Sequence, residues 1–99
     1  MTAYVISRLR IRDPATMSEY VTTAPPTVAA FGGRYLVRGG AVRALEGSWD
    51  HDRLVVVEFA TSSDAVGWYE SPAYRPLRDQ RNGAADTIML LAEGTDGVR

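Results

Sequence analysis

Four stretches of the chain have the hydrophobic pattern of β-strands. In the first, residues 3–12, apolar and polar side chains alternate with a period of two. In the next two, residues 33–38 and 53–60, the positions of Arg34, Arg38 and Glu58 indicate which face is apolar. The fourth, residues 87–93, is a continuous apolar run, so its facing cannot be read from the period. These stretches predict a sheet of four strands.

The segment after the first strand has the three- and four-residue spacing of an amphipathic helix. It begins at Asp13-Pro14, where a side-chain acceptor precedes a proline at the first helical position. Pro25-Pro26 is expected to break the helix into two short pieces, because proline lacks an amide hydrogen and clashes with the preceding turn. Gly32 is expected to cap its end.

A second helical region follows the third strand. Ser62 or Ser63 is expected to cap its first helix, which contains Ala65, Val66, Trp68 and Tyr69. Ser71-Pro72 supplies the cap and the proline that open another helix, and Gly83 is expected to end it.

The predicted order is strand, helix, strand, strand, helix, strand. With right-handed crossovers, this order favours an α+β, ferredoxin-like βαββαβ fold with an antiparallel sheet of order 4-1-3-2 and its helices on one face. Residues 41–46, after a Gly39-Gly40 turn, are expected to add a short extra strand. We expect one domain over residues 1–99, with its core at 3–94 and a frayed tail at 95–99.

The alternation gives the sheet two different faces. The helices are expected to cover the row formed by Val5, Leu9, Ile11, Tyr35, Val37, Val55, Val57 and Phe59. The uncovered row consists of Tyr4, Ile6, Arg8, Leu36, Arg38, Leu54, Val56 and Glu58. This second row is too apolar to stay bare in water, since its burial would stabilise by about 25 cal/mol per Å². We therefore expect a homodimer in which two sheets pack face to face as a dimeric α+β barrel.

The uncovered row would place charged side chains inside that barrel. Glu58 lies on the central third strand, between the strands that carry Arg8 and Arg38. Two guanidinium groups against one carboxylate leave an excess of positive charge, which suits a small organic anion. The same residues also fit a structural ion-pair network that fixes the register of the dimer. Both interpretations stay open at this point.

Four more residues complete the expected ligand-binding set. Tyr4 belongs to the uncovered row, and Arg34 lies on the same face of the second strand as Leu36 and Arg38. Trp49, in a loop, and Trp68, on a helix, could form the wall of an aromatic pocket, although core packing is the commoner role of such residues.

The other charged motifs predict no chemistry. Arg75, Arg78 and Arg81 recur at three-residue spacing along one helix, which is typical of a solvated face. The adjacent side chains of Asp50-His51-Asp52 cannot all converge on one ion from a loop, so we expect no metal site. No motif identifies a catalytic residue.

Composition narrows the function classes. A net charge of −1 gives no electrostatic attraction to nucleic acid or to a membrane, and there is no cysteine. All 11 basic residues are arginine, which excludes a Schiff-base lysine and a phosphate-loop lysine. We expect no cofactor. Because the chain opens directly into a strand pattern without a leader, we expect a cytoplasmic location.

An ordered set of motifs over residues 3–94 resembles a known family. The motifs are Ala3-Tyr4-Val5, Asp13-Pro14, Gly32 to Gly40, Leu45-Glu46-Gly47, Arg53 to Phe59, Trp68-Tyr69, Ser71-Pro72 and Tyr74. Together they resemble the bacterial domain-of-unknown-function family thirteen-thirty. The resemblance implies a dimeric α+β barrel and marks Arg34, Arg38, Glu58 and Trp68, without a role for any of them. The same superfamily holds cofactor-free monooxygenases, haem-degrading enzymes and lactone isomerases.

We therefore expect a homodimer that binds a small anionic organic molecule in the cleft of the sheet. Two alternatives stay open. One is a cofactor-independent enzyme of the monooxygenase or isomerase kind, in which a tyrosine or Glu58 handles protons. The other is a purely structural dimer without a ligand. The sequence does not decide whether the protein is an enzyme.

Overall fold

The strands and helices follow the predicted order. The computed structural model describes residues 1–95, so the expected frayed tail lies, from residue 96 onward, outside the described residues. The strands are β1 (Ala3–Ile11), β2 (Arg34–Arg38), β3 (Arg53–Phe59) and β4 (Ala85–Glu93). The helices are α1 (Pro14–Ala30), α2 (Ser62–Glu70) and α3 (Arg75–Ala84).

The sheet has the predicted topology. Its strands are ordered β2-β3-β1-β4, which is the expected order 4-1-3-2 read from the other edge, and the neighbouring strands are antiparallel. The α+β, ferredoxin-like fold class is therefore confirmed. The sheet of one chain is open, so a barrel can form only from two chains.

The helices cover the face of the sheet that the alternation predicts. β1 and β3 bury Val5, Leu9, Val57 and Phe59 on this face. The rest of the core comes from the helices and the turns beside them, and its buried members include Met17, Ala24, Val28, Ala65, Trp68 and Tyr74. The core forms two apolar clusters between the helices and the sheet, and the partly buried Tyr20 and Val55 pack against both.

The opposite side of the sheet, here called the outer face, is apolar and is not covered by the helices. Ile6 of β1 lies between Val56 of β3 and Leu90 of β4. Ile88 and Leu90 are 42% and 55% exposed. β4 therefore turns Ile88 and Leu90 outward and Met89 toward the helices, a facing that the sequence leaves open.

The prediction that Pro25-Pro26 divides the first helix is wrong, because α1 runs unbroken through both prolines. Pro25 has no N–H to give to the carbonyl four residues earlier, so the Val21 carbonyl loses its helical partner. The Arg38 guanidinium, from the end of β2, donates a hydrogen bond to this oxygen. A side chain of the sheet thus replaces the bond that the proline removes.

The ends of the helices depend on local side-chain chemistry. Asp13 caps α1 by accepting hydrogen bonds from the hydroxyl and the N–H of Thr16, which together lower the pKa of Asp13. α1 ends as predicted beside Gly32, whose φ of 75° is the left-handed conformation that glycine adopts most readily. α2 is capped by Thr61, one residue before the predicted Ser62.

A β-bulge in β2 changes the direction in which Arg38 faces. Arg34 pairs with Glu58 on the outer face, but beyond the bulge Arg38 pairs with Val55, which belongs to the helix-facing row. One extra residue shifts the alternation by one position. The expectation that Arg38 shares the outer face with Glu58 is therefore wrong, and Arg38 lies beside α1. Val37, which was expected under the helices, pairs instead with Val56 of the outer face.

Three smaller expectations also fail. Residues 41–46 form no strand and belong to the loop that joins β2 to β3. α3 begins at Arg75, after a turn in which the Ser71 hydroxyl accepts the N–H of Tyr74 at 3.2 Å. It then continues through Gly83, which was expected to end it.

The bond between Arg38 and the Val21 carbonyl predicts coupled effects of two substitutions on stability. Arg38→Met should lower the free energy of unfolding by about 1 kcal/mol, the usual net value of such a bond. Pro25→Ala restores a helical N–H for the Val21 carbonyl. In the Pro25→Ala protein, Arg38→Met should therefore lower the free energy of unfolding by less than half as much. Urea unfolding of the four proteins, without added ligand, measures this coupling.

Arg43→Met is the matched control, because Arg43 is exposed in the β2–β3 loop. It should cost the same in both backgrounds. An equal cost of Arg38→Met with and without Pro25 would contradict the proposed replacement bond.

Candidate ligand-binding site between α1 and the sheet

A small cavity, here called the α1 cavity, lies between α1 and the helix-facing side of the sheet. Its volume is about 40 Å³. A buried water needs roughly 10–15 Å³ in the same measure, so the cavity has room for about three water-sized atoms. Core side chains form its apolar wall. Its polar wall consists of Ser7, Tyr20, Tyr35, Arg38, Arg53 and Arg81.

Arg81 is the most deeply buried charged group in this wall, with 2% of its surface exposed. Its Nη1 donates to the Tyr74 hydroxyl at 2.5 Å and its Nη2 to the side-chain oxygen of Asn82 at 3.0 Å. Its Nε is buried without a hydrogen-bond partner among residues 1–95. Over the same residues no carboxylate lies within ion-pair distance of Arg81. A buried cation without a counter-charge is costly, on the order of several kcal/mol.

Two tyrosine hydroxyls lie beside this guanidinium. The hydroxyl oxygens of Tyr20 and Tyr74 are 2.5 Å apart, and Arg81 Nη1 is 3.4 Å from that of Tyr20. Tyr74 is fully buried. Burial raises the pKa of Tyr74 far above its usual value and also raises the pKa of Tyr35. Tyr74 and Tyr35 therefore keep their phenolic hydrogens at neutral pH and remain able to donate.

Two more arginines complete the positive side of the α1 cavity. The Arg38 guanidinium lies 4.8 Å from the centre of the Tyr35 ring. The Arg53 guanidinium passes so close to Gly39 that a Cβ atom there would lie 2.2 Å from its Nη1. Gly39 has a φ of 76°, and this left-handed backbone conformation favours glycine at this position. None of the described residues that line the cavity is acidic.

The charged residues predicted to form the site are separated in the structure. Glu58 and Arg34 form a 2.9 Å ion pair on the outer face, and Tyr4 lies opposite Glu58 on β1. Arg8 lies four residues farther along β1, which corresponds to roughly 13 Å at the rise of a strand. With Arg38 on the other side of the sheet, the expected cluster of Arg8, Arg38 and Glu58 does not form within one chain.

The two tryptophans also differ in position. Trp68 is 2% exposed, lines the α1 cavity and donates its indole N–H to the Thr27 hydroxyl at 3.1 Å. Trp49 stays in the β2–β3 loop, where its ring lies 5.3 Å from that of His51. Of the predicted ligand-binding residues, Arg38 and Trp68 are therefore the ones that line this cavity. Within residues 1–95 no group of three acidic or histidine side chains is placed to hold a metal ion.

The prediction that Arg81 lies on a solvated face is wrong. Tyr74, Leu77, Arg81 and Ala84 follow one another at spacings of three, four and three, which places them on one side of the helical region. Tyr74 and Ala84 are fully buried, so this side faces the core. This spacing was therefore the sequence signal that Arg81 is buried. The signal for Arg53, also missed, was its place in the same period-two row as Val55.

A second hollow, of about 250 Å³, lies between α2 and β4. Apolar and aromatic side chains form most of its wall, and Glu70 is its charged member. A negative charge beside an apolar surface does not favour an anion. The α1 cavity is thus the better candidate for the predicted anionic ligand.

Comparisons with known proteins agree with the fold. The family model for the domain of unknown function DUF1330 matches residues 2–95. The sequence has no significant match among curated proteins. No helix among the described residues is long and apolar enough to cross a membrane.

Several solved structures share the fold at low sequence identity. A protein of unknown function from Rhodopseudomonas palustris is 19% identical, with a TM-score of 0.76, over 94% of this chain and 82% of that one. A dimeric ferredoxin-like protein of unknown function from Thermobifida fusca is 17% identical, with a TM-score of 0.68, over 95% and 92%. SnoaB, a cofactor-independent oxygenase from Streptomyces nogalater, is 16% identical, with a TM-score of 0.58, over 94% and 92%.

Proposed function

We propose that this chain, which belongs to the DUF1330 family, is a homodimeric protein that binds a small organic anion in the α1 cavity. The observation that carries the proposal is Arg81, a buried guanidinium with no carboxylate in ion-pair distance among residues 1–95. Arg38 and Arg53 add two positive charges to the same cavity. An anion there would supply the missing counter-charge.

The outer face supports the homodimer. Leu36, Ile88 and Leu90 are each more than two-fifths exposed on the sheet of one chain. Covering such a face with a second copy stabilises it by about 25 cal/mol per Å² of apolar surface. Two similar structures are dimeric ferredoxin-like proteins, one of them from Thermobifida fusca. Two sheets packed in this way would give the two-chain barrel that the sequence predicts.

The position of the ligand differs from the one first expected. Glu58 already has Arg34 as its partner on the outer face, so that side offers little unpaired positive charge beyond Arg8. The α1 cavity combines three arginines with phenolic donors and has no acidic residue in its described wall. A ligand on the helix-facing side also leaves the outer face free for the second chain.

A cofactor-independent enzyme is the second candidate function. SnoaB, which has the same fold, is an oxygenase of this kind, and the α1 cavity holds tyrosine hydroxyls beside guanidinium groups. Such donors could stabilise an oxyanion that develops during a reaction. Glu58 takes no part in this candidate, because it lies on the outer face.

The homodimer predicts that a charge on the outer face separates the subunits. Leu90→Lys should convert the dimer to a monomer at micromolar concentration, because a buried lysine without a partner is costly. Val66→Lys is the control, since Val66 is similarly exposed but lies on α2. Analytical ultracentrifugation measures the mass. A monomeric unaltered protein, or a dimer that tolerates Leu90→Lys, would contradict this interface.

Anion binding predicts a thermal shift that depends on Arg53. In a panel of acetate, benzoate, phosphate and sulfate, at least one anion should raise the unfolding midpoint. Saturation to 100 times the dissociation constant adds about 2.7 kcal/mol to the free energy of unfolding. Arg53→Gln should weaken that anion roughly fivefold, which corresponds to about 1 kcal/mol.

Arg75→Gln makes the same charge change at an exposed position on α3 and should leave the shift unaltered. If no anion of the panel stabilises the unaltered protein, the proposed anion site is wrong and the purely structural dimer becomes the better account. If Arg53→Gln and Arg75→Gln reduced the anion-induced rise of the unfolding midpoint equally, the effect would come from net charge, and the proposed site would be wrong.

A further inference from the structure

The hydrogen bonds beside the α1 cavity form a chain whose direction can be deduced. Arg81 Nη1 donates to the Tyr74 hydroxyl oxygen, and the hydroxyl oxygens of Tyr74 and Tyr20 are in contact. A guanidinium can only donate, whereas each phenol has one hydrogen to give and oxygen lone pairs to accept with. The positions of the two phenolic hydrogens therefore decide what the cavity offers a ligand.

The hydrogen of Tyr74 has one available acceptor. Tyr74 is fully buried, and its hydroxyl contacts Arg81 and Tyr20 within the described chain. If Tyr20 donated to Tyr74, the hydrogen of Tyr74 would be buried without an acceptor, at the cost of a buried unpaired donor. Tyr74 must then donate to Tyr20.

This direction leaves the hydrogen of Tyr20 without an acceptor in the described chain. Tyr20 accepts from Tyr74 and, at 3.4 Å, from Arg81. Tyr20 also lines the α1 cavity, so its O–H is available to whatever occupies the cavity. Arg81, at the other end of the chain, also lines the cavity and has a buried Nε–H without a partner among residues 1–95.

Arg81 has unused donors of its own. Its three hydrogen bonds, to Tyr74, Tyr20 and Asn82, use three of its five N–H groups. Nε–H is one of the two that remain, and it is buried. The site therefore has an excess of donors and positive charge, with a shortage of acceptors.

Size limits the group that can satisfy these donors. The α1 cavity is open to solvent on one side and holds about three water-sized atoms, so it can take the head group of a ligand, and a larger substituent such as a benzene ring would lie outside it at the open side. A carboxylate has three heavy atoms, a single negative charge and two acceptor oxygens. A sulfonate has four heavy atoms and a phosphate five, so the carboxylate is the best match to the space. Neutral amides offer one acceptor and bring donors that the site does not need.

We propose that the anion bound in the α1 cavity is a carboxylate, which accepts the Tyr20 O–H and balances the charge of Arg81. This inference rests on the proposed function and narrows its ligand to one chemical class. Tyr74 is a positioning residue, because it acts by holding the Tyr20 oxygen so that the Tyr20 hydrogen turns to the ligand.

Calorimetric titration with three benzene derivatives tests the ligand class on the unaltered protein. Benzoate should bind at least tenfold more tightly than benzamide, its neutral counterpart, and at least tenfold more tightly than benzenesulfonate, its larger anionic counterpart. Trp68, which lines the cavity, supplies a second readout, since its fluorescence can be followed alone in a Trp49→Phe protein.

Three tyrosine variants test the direction of the chain. Tyr20→Phe should lower the affinity for benzoate at least tenfold and leave the affinity for benzamide unchanged, because it removes the donor to the carboxylate. Tyr74→Phe should weaken benzoate less than Tyr20→Phe does, although Tyr74 is the more buried residue. Tyr69→Phe, on the exposed side of α2, is the control and should have no effect.

The outcomes separate this inference from the function on which it rests. Tighter binding of benzenesulfonate or phosphate than of benzoate would contradict the assignment of the ligand as a carboxylate, but it would still support an anion site. Failure of every anion to bind would overturn both. Unchanged benzoate affinity in Tyr20→Phe would overturn the role of Tyr20. A larger loss in Tyr74→Phe than in Tyr20→Phe would overturn the direction of the chain.

Discussion

The burial of Arg81 is the constraint on which the helix side of the molecule depends. A guanidinium so deeply buried requires hydrogen-bond acceptors, and the fold supplies them from Tyr74, Tyr20 and Asn82. This network ties α3 to α1, since Tyr20 belongs to α1 and Arg81 to α3. It satisfies hydrogen bonds without supplying a negative charge. The α1 cavity, which Arg81 borders, is the place where a ligand can supply one.

The two faces of one sheet have separate roles in this account. The helix-facing side combines the core with a small polar cavity, and the outer face offers an apolar surface for a second chain. The β-bulge in β2 makes this separation possible, because it moves Arg38 from the outer face to α1. There Arg38 donates to the carbonyl that Pro25 leaves free. One irregularity in a strand thus supports an irregular helix and adds a charge to the cavity.

The sequence predicts the regular part of the fold well and the site poorly. Period-two alternation and the order of elements are enough to predict the sheet order and, except for Val37, the helix-covered row, because these follow from local periodicity. The continuity of α1 could not be predicted, since it requires a donor, Arg38, from a distant strand. The bulge leaves no signal in the alternation of Arg34 to Arg38 and becomes visible only in the pairing with β3. Arg81 was missed because its charge was given more weight than its position in the buried helical spacing.

Side-chain NMR of the arginines shows directly whether the anion binds beside Arg81. The Nε–H groups of the 11 arginines can be followed together in a labelled protein during titration with benzoate, with Arg→Lys variants for assignment. The account predicts that the Nε–H resonance of Arg81 shifts most, and that those of Arg8 and Arg34, on the outer face, stay in place. Shifts of Arg8 and Arg34 with an unmoved Arg81 would show that the anion binds on the outer face, and they would contradict the account.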